Sequence, residues 1–252
     1  MLLGVDIGNT TIYFGIINDE KIEKTFRIST EKARTADEYT VIIKNVLEEN
    51  TSIKEITDII MASVVPEITN EVEKALYNIT GLNTILVKRD IPKTFHMSEE
   101  CVRALGADLI ADSTGAISKY KTPIIVFDMG TATTCSVINK EGKFMGGMIC
   151  PGLKTSVDAL IGKASQLSNF TLGNPKQVVG LDTAECINAG AIFGHSSMIN
   201  GLRKKVEEET GEKYTVVLTG GNSDYVAKYV AKDIIQDKNL IFEGLKELYK
   251  QK

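Results

Sequence analysis

Two stretches of this chain carry the same arrangement of chemistry-bearing residues. GVDIGNTTIYFGII (residues 4–17) and IVFDMGTATTCSVI (125–138) each read as an apolar run, an Asp, a variable residue, a Gly, positions rich in Thr and small side chains, and a second β-rich run. At a tight turn between strands a Gly lets the backbone approach a ligand closely, and the hydroxyls and N–H groups that follow are donors for phosphate oxygens. The carboxylate ahead of the turn, Asp6 or Asp128, can hold Mg²⁺ against the same phosphates, usually through water. One such turn equally fits an ordinary hairpin; its repetition at matching positions is the stronger sign. A third stretch, VVLTGGNSDYV (216–226), ends an apolar strand in Thr219-Gly220-Gly221 ahead of a helix, and a Gly pair there lets a base or ribose lie flat against backbone. The chain has neither GxxxxGK[ST] nor GxGxxG, so a P-loop is excluded and a Rossmann dinucleotide site has no support.

The elements that must hold these turns follow from periodicity. Residues 2–7 and 11–17 are β-rich runs joined through Gly8-Asn9-Thr10, and NDEK (18–21) is a turn into a third strand, KIEKTFRIST, giving an antiparallel meander. TADEYTVIIKNVLEEN has helical spacing, with Tyr39, Ile42, Ile43 and Val46 on one face and a Thr/Asp start suited to capping. Ile56 to Val65 reads as a buried strand stopped by Pro66, and EITNEVEKALYNIT as a second helix. The second half repeats the order: strand 124–129, the Gly130-Thr131 turn, strand 133–138, the turn NKEG, and the strand KFMGGMI. Asp6 and Asp128 stand about half the chain apart, and no linker separates the halves. These features predict an α/β protein with an internal duplication, divided into lobes 1–115 and 116–252 with the boundary inside a helix over 106–120. Its ligand site is expected in a cleft between the lobes, lined by the repeated turn from both sides.

Composition narrows the function classes. The chain has 252 residues, 43% of them hydrophobic, enough for a substantial core. A net charge of −4 and the lack of a dense Lys/Arg cluster give no electrostatic footprint for nucleic acid or an anionic membrane. The C-terminal KELYKQK reads as a solvated helix end. Four scattered cysteines (101, 135, 150 and 186), with no CxxC pair and only two histidines, argue against a Cys/His zinc site and for a reducing, cytosolic setting. The apolar start is broken by Asp6 and lacks a basic lead, so it reads as a buried first strand rather than a signal or a membrane span.

Taken together the motifs resemble the actin, heat-shock ATPase and sugar-kinase superfamily, and within it the type III pantothenate kinases, over nearly the whole chain. The matching segments are DIGNT (6–10), RTADEY (34–39), ASVVP (62–66), GAD (106–108), DMGTATT (128–134), GGMICPG (146–152), VVGLDT (178–183) and TGG (219–221). The resemblance implies duplicated ribonuclease H-like domains of mixed sheets with helices. It implies a kinase that phosphorylates the hydroxyl of pantothenate with ATP and Mg²⁺, the first step of coenzyme A biosynthesis, helped by a monovalent cation, potassium or ammonium. A cytoplasmic homodimer is implied as well. Carried over by residue, the resemblance makes Asp108 the catalytic base and Asp6 the organiser of Mg²⁺. Gly8, Asn9, Thr10, Thr131, Gly220 and Gly221 become ATP contacts, and Asp128 the monovalent-cation ligand. Gly106, Ala107, Asp108 and Leu109 form the acceptor site, completed by Thr183 across a dimer interface. Two of these residues also suit plain structural roles: Asp108 complements the start of a helix, and Thr183 could cap one. Gly147, Pro151 and Gly152 shape a loop, and the cysteines and His195 read as packing or surface residues.

One pocket departs from the family pattern. GADR is here GADL, with Leu109 in place of Arg; an upstream Tyr and Asn-Pro are replaced by Glu99, Cys101 and Val102; and a downstream Asn is Asp112. Arg suits a carboxylate such as that of pantothenate, so losing it while gaining Asp112, one turn beyond Asp108, makes the pocket poorer for an anion. Three outcomes are open: Arg103 or another basic group supplies the missing charge; the acceptor is a neutral or cationic alcohol; or the protein binds ATP as a regulator without efficient transfer. The retained Asp6, Asp108, Asp128 and threonines favour an active kinase, with pantothenate the first acceptor to test.

Overall fold

The computed structural model describes residues 1–18, 20–94, 96–163 and 170–252. The first sheet is built from β1 (Leu2–Ile7), β2 (Thr11–Asn18) and β3 (Lys21–Ser29), an antiparallel meander as the sequence predicts; Asp19 of the NDEK turn lies outside the described residues. Helix α1 (Ala36–Asn50) starts on a capping box in which Thr35 and Glu38 satisfy each other's backbone N–H groups. Strand β4 (Asp58–Ser63) joins β1 in parallel, and Pro66 opens α2 (Pro66–Thr80) at a first-turn position where its missing N–H costs nothing. After β5 (Thr84–Leu86) come α3 (Glu99–Ala104) and α4 (Ala107–Lys119).

The second sheet follows the same plan. Strands β6 (Ile124–Met129), β7 (Ala132–Ile138) and β8 (Phe144–Pro151) form the meander. Helices α5 (Leu153–Lys163) and α6 (Thr183–Thr210) precede β9 (Thr215–Thr219), which is parallel to β6. Then come α7 (Ser223–Val226), β10 (Ile235–Gln236) and α8 (Leu240–Tyr249). The strand orders are β3-β2-β1-β4-β5 and β10-β9-β6-β7-β8. Read from the meander edge inward, the two are identical, which is the duplication expressed in topology.

Period-2 alternation sorts each central strand. Leu3, Val5 and Ile7 of β1 pack with Tyr39, Ile43 and Leu47 of α1 and Ile68, Val72 and Leu76 of α2. The opposite face bears Gly4, and a β-carbon there would stand 3.0 Å from the ring of Phe242 in α8. Asp6 has the parity of Gly4 and so stands on the face that α8 covers. In the second sheet Ile125, Phe127 and Met129 pack with Ile192 and Ile199 of α6 and Val226 of α7.

Residues 1–119 together with 239–252 form one compact unit, and residues 120–238 the other. This differs from the expected halves 1–115 and 116–252, because the C-terminal helix returns to the first unit. The reason is a backbone contact between helices: a β-carbon on Gly244 would stand 1.7 Å from the carbonyl oxygen of Ala111, and one on Gly115 2.5 Å from that of Leu240. With Leu240, Ile241, Phe242, Leu245 and Leu248 all buried, α8 is a core helix, and the reading of its end as a solvated face is corrected for Leu248.

Candidate functional site

Both Asp-x-Gly stretches form the expected hairpins, with their aspartates at equivalent registers. Asp6 lies opposite Tyr13 of β2 and beside Ala62 of β4. Asp128 lies opposite Thr134 of β7 and beside Thr219 of β9. The second turn is one residue tighter, since Met129 pairs with Thr133 where Ile7 pairs with Ile12. Both aspartates are half-buried, while Asn9, Thr10 and Thr131 are exposed at the turns.

The turns share a device that suits them to anions. Carbonyl oxygens repel phosphate, and here they are drawn back into the protein. In the first turn Gly8 N–H donates to Thr11 O at 3.0 Å, while Thr30 donates its hydroxyl to Gly8 O at 2.7 Å and its N–H to Thr10 O at 3.0 Å. In the second, Gly130 N–H donates to Ala132 O at 2.9 Å. Asn222 Nδ2 donates to Gly130 O at 3.0 Å and Thr155 Oγ1 to Thr131 O at 2.6 Å. Gly152 adds its N–H to Thr131 O at 3.2 Å, and a β-carbon on it would stand 2.3 Å from that oxygen. Of the three residues expected to shape a loop, only Gly152 does so, where β8 ends against the turn; Gly147 and Pro151 are corrected to strand residues of β8, paired with Ser136 and Ala132 in the meander.

Thr219-Gly220-Gly221 closes on the same hairpin. Gly220 has φ +87°, and a β-carbon there would meet Oδ1 of Asp128 at 2.2 Å and the backbone N of Met129 at 2.5 Å. Both conformation and room require glycine. Asn222 N–H donates to Met129 O at 3.0 Å, so Asn222 clamps the TGG turn to the Asp128 turn through two bonds. Gly221 is exposed and faces open space where a side chain would be, a surface that a flat ligand could use.

Asp108 sits in the first turn of α4. Its Oδ1 accepts the N–H of Leu109 at 2.8 Å, so it does complement the helix start. Burial pushes its carboxyl above the ordinary value, against the N–H groups of Leu109 and Asp108 itself and the positive charge of Lys88. A raised pKa gives a carboxylate greater proton affinity, which is what a general base needs. Asp112 follows on the same helix and is buried. Burial is the largest cause of the Asp108 shift.

The acceptor segment lies around this helix start. Gly106 and Ala107 precede Asp108 and Leu109 follows, half-buried, so the motif is contiguous at one helix end. Arg103 is exposed and pairs with Glu99, its neighbour on α3. Thr183 is the first residue of α6 and is exposed, and the cap is Asp182, whose side chain accepts Glu185 N–H at 2.8 Å. The alternative reading of Thr183 as N-cap is therefore corrected: a capping oxygen must reach the amide three residues on, and Asp182, not Thr183, stands at that spacing. His195 bonds the carbonyl of Ala191 within its own helix, as a packing residue does.

Sequence reasoning missed Thr30, Asn222, Thr155 and Lys88. Asn222 and Thr155 lie beside recognised motifs, but nothing in local spacing says which carbonyl they will reach. Among the described residues no group of three or more His, Cys, Asp and Glu could cage a metal. Single half-exposed carboxylates at anion-suited turns fit instead a Mg²⁺ that arrives with a nucleotide, keeping water and phosphate oxygens as its other ligands.

Two mixed sheets of one topology, each presenting an Asp-x-Gly hairpin at the same register, define the actin-like ATPase and sugar-kinase fold. The chain is similar to MreB 5 of Spiroplasma citri bound to AMPPNP (TM-score 0.55, 10% identity, covering 99% of this chain and 96% of that one). It is likewise similar to a conserved Baf-family protein from Campylobacter jejuni (TM-score 0.58, 21% identity, 99% and 98%). Within this fold the chain belongs to the type III pantothenate kinase family, whose model matches residues 2–205. Relatives named type III pantothenate kinase include that of Persephonella marina, 31% identical over 250 residues (99% of this chain, 98% of the relative). Another, from Bacillus cytotoxicus, is 33% identical over 252 residues (100% and 96%).

Proposed function

We propose that this protein carries out the reaction in its family's name through the residues described above. It is an ATP-dependent phosphotransferase that phosphorylates pantothenate, in coenzyme A biosynthesis. The observation that carries the assignment of roles is the repeated hairpin, with Asp6 and Asp128 at the same register of two identically ordered sheets.

In our reading Gly8, Asn9, Thr10 and Thr131 contact the phosphates, whose charge the drawn-back carbonyls leave unopposed. Gly220 and Gly221 receive the adenosine. Asp6 would hold Mg²⁺, which offsets phosphate charge when bound, and Asp128 the monovalent cation, potassium or ammonium. Asp108 accepts the proton of the acceptor hydroxyl as its oxygen bonds to the γ-phosphorus and ADP departs. Gly106, Ala107 and Leu109 shape the acceptor side. Thr183 completes it from a second copy of the chain, and the exposed apolar residues Val178, Val179 and Leu181 beside it support a homodimer. Among the described residues no helix is long and apolar enough to cross a membrane, and the cysteines are free thiols; a cytoplasmic location suits both.

The test is ATP turnover with Mg²⁺ and potassium, comparing pantothenate with no acceptor. Stimulation by pantothenate supports the reading. The engagement of Arg103 with Glu99 favours one second reading, a neutral or cationic alcohol as acceptor. Turnover with such an alcohol, and none with pantothenate, would select it.

A further inference from the structure

Lys88 joins a rarely adopted backbone conformation to a long reach. It follows β5 with φ 76°, in the left-handed region that long side chains seldom occupy. The surrounding loop holds it there by several independent bonds. Asp90 accepts Leu86 N–H at 2.7 Å and returns its own N–H to Leu86 O at 2.9 Å. Val87 donates to Met61 O of β4 at 2.9 Å and bridges Ile91. Arg89 ties the loop to Thr84 O at 3.0 Å and to Glu73 of α2 at 2.9 Å. Conformations of this kind persist where the surroundings over-determine them, and they gather at functional sites.

From this braced position the ammonium of Lys88 spans to the connection between α3 and α4, donating to Arg103 O at 2.9 Å and Leu105 O at 2.6 Å. These carbonyls end α3, where the helix dipole is negative. Gly106 and α4 follow at once. We propose that Lys88 is a positioning residue for Asp108: it fixes the Leu105-Gly106 connection from which α4 presents the carboxylate, and it supplies a positive charge where Leu109 has none.

The inference rests on the reading of Asp108 as base. Burial raises the Asp108 carboxyl and the Lys88 charge opposes that. The other charged groups on these elements are Asp6 on β1, Asp112 farther along α4, Glu100 and the Arg103–Glu99 pair on α3, and, at the far end of α4 where α8 packs, Lys119 and Lys246 both paired with Glu243, with Glu247 one turn on. Arg103 is engaged by Glu99, which leaves Lys88 as the cation acting on Asp108.

The experiment compares wild type with Lys88→Met, Lys88→Gly, Lys88→Arg and Asp108→Asn, measuring kcat and kcat/KM for pantothenate against pH together with thermal unfolding. Lys88→Gly relieves the left-handed backbone while removing charge and hydrogen bonds, so it separates function from folding. Lys88→Met and Lys88→Gly should lower kcat by about tenfold or more, the effect of misplacing a catalytic group. The acidic limb of kcat/KM should move to higher pH by about half a unit or more, the effect of losing a nearby opposite charge. Lys88→Arg should keep the wild-type limb. Wild-type kcat and an unmoved limb in folded Lys88→Gly, with Asp108→Asn inactive, would overturn the role of Lys88 alone. Retained turnover in Asp108→Asn would overturn the base assignment and this inference with it.

Discussion

A β-carbon on Gly106 would stand 2.3 Å from Oδ1 of Asp108. The carboxylate folds back over the start of α4 to take the N–H of Leu109, and only a residue without a side chain leaves it that space. The obstructing atom ends a rotatable side chain, so Gly106→Ala should fold, with a stability change below about 1 kcal/mol. Turnover should fall by about a hundredfold, because Asp108 must swing away from its position. Equal losses in melting temperature and activity would count against this account.

Gly220 presents the opposite case. Its β-carbon would meet the backbone of Met129 as well as Asp128, and its φ is +87°. Gly220→Ala should cost about 1–3 kcal/mol, the usual cost of a residue held in a sparsely populated region. It should also raise the potassium concentration needed for half-maximal turnover, since it displaces Asp128, the proposed cation ligand. Chemical denaturation and a potassium titration read the two effects separately.

The raised carboxyl of Asp108 has a definite sign in stability. An acid with a folded pKa above its ordinary 3.8 favours its protonated form in the fold, so its ionisation costs stability as pH rises from 3.8 to the folded value, and the loss persists above it. Asp108→Asn cannot ionise and keeps an oxygen for Leu109 N–H. It should melt higher than wild type at neutral pH, with the advantage vanishing below pH 3.8. A variant that melts lower at pH 7 would contradict the burial assignment.

Leu181 is 86% exposed beside Thr183, with Val178 and Val179 exposed next to it. Leu181→Arg should shift the mass in solution from dimer to monomer and lower kcat/KM for the acceptor while sparing nucleotide binding. Light scattering and nucleotide titration check this, and a monomeric wild type would remove the proposed role of Thr183 across the interface.

Much of the fold is legible in the sequence because it is local. The meanders read out of alternation and turn residues, and α1 out of its Thr35–Glu38 capping box. At α6 the sequence suggests Thr183 as the cap, but the cap is Asp182, one residue earlier, whose spacing from Glu185 fits a capping oxygen. What the sequence does not display are relationships between distant segments. The backbone contact of Gly244 with Ala111 places α8 in the first unit, and no periodicity announces it. In the same way Thr30, Asn222 and Thr155 act on carbonyls that lie far from them along the chain. Nothing in the sequence around Lys88 shows that its ammonium reaches Arg103 O and Leu105 O.

The central claim is that Asp108 takes the acceptor's proton at a site built for ATP. The most direct measurement is pantothenate-dependent formation of ADP by wild type and Asp108→Asn, with nucleotide affinity measured in parallel. The account predicts pantothenate-stimulated turnover in wild type, its loss by about a hundredfold or more in Asp108→Asn, and unchanged nucleotide binding. Wild-type turnover in the variant would contradict it.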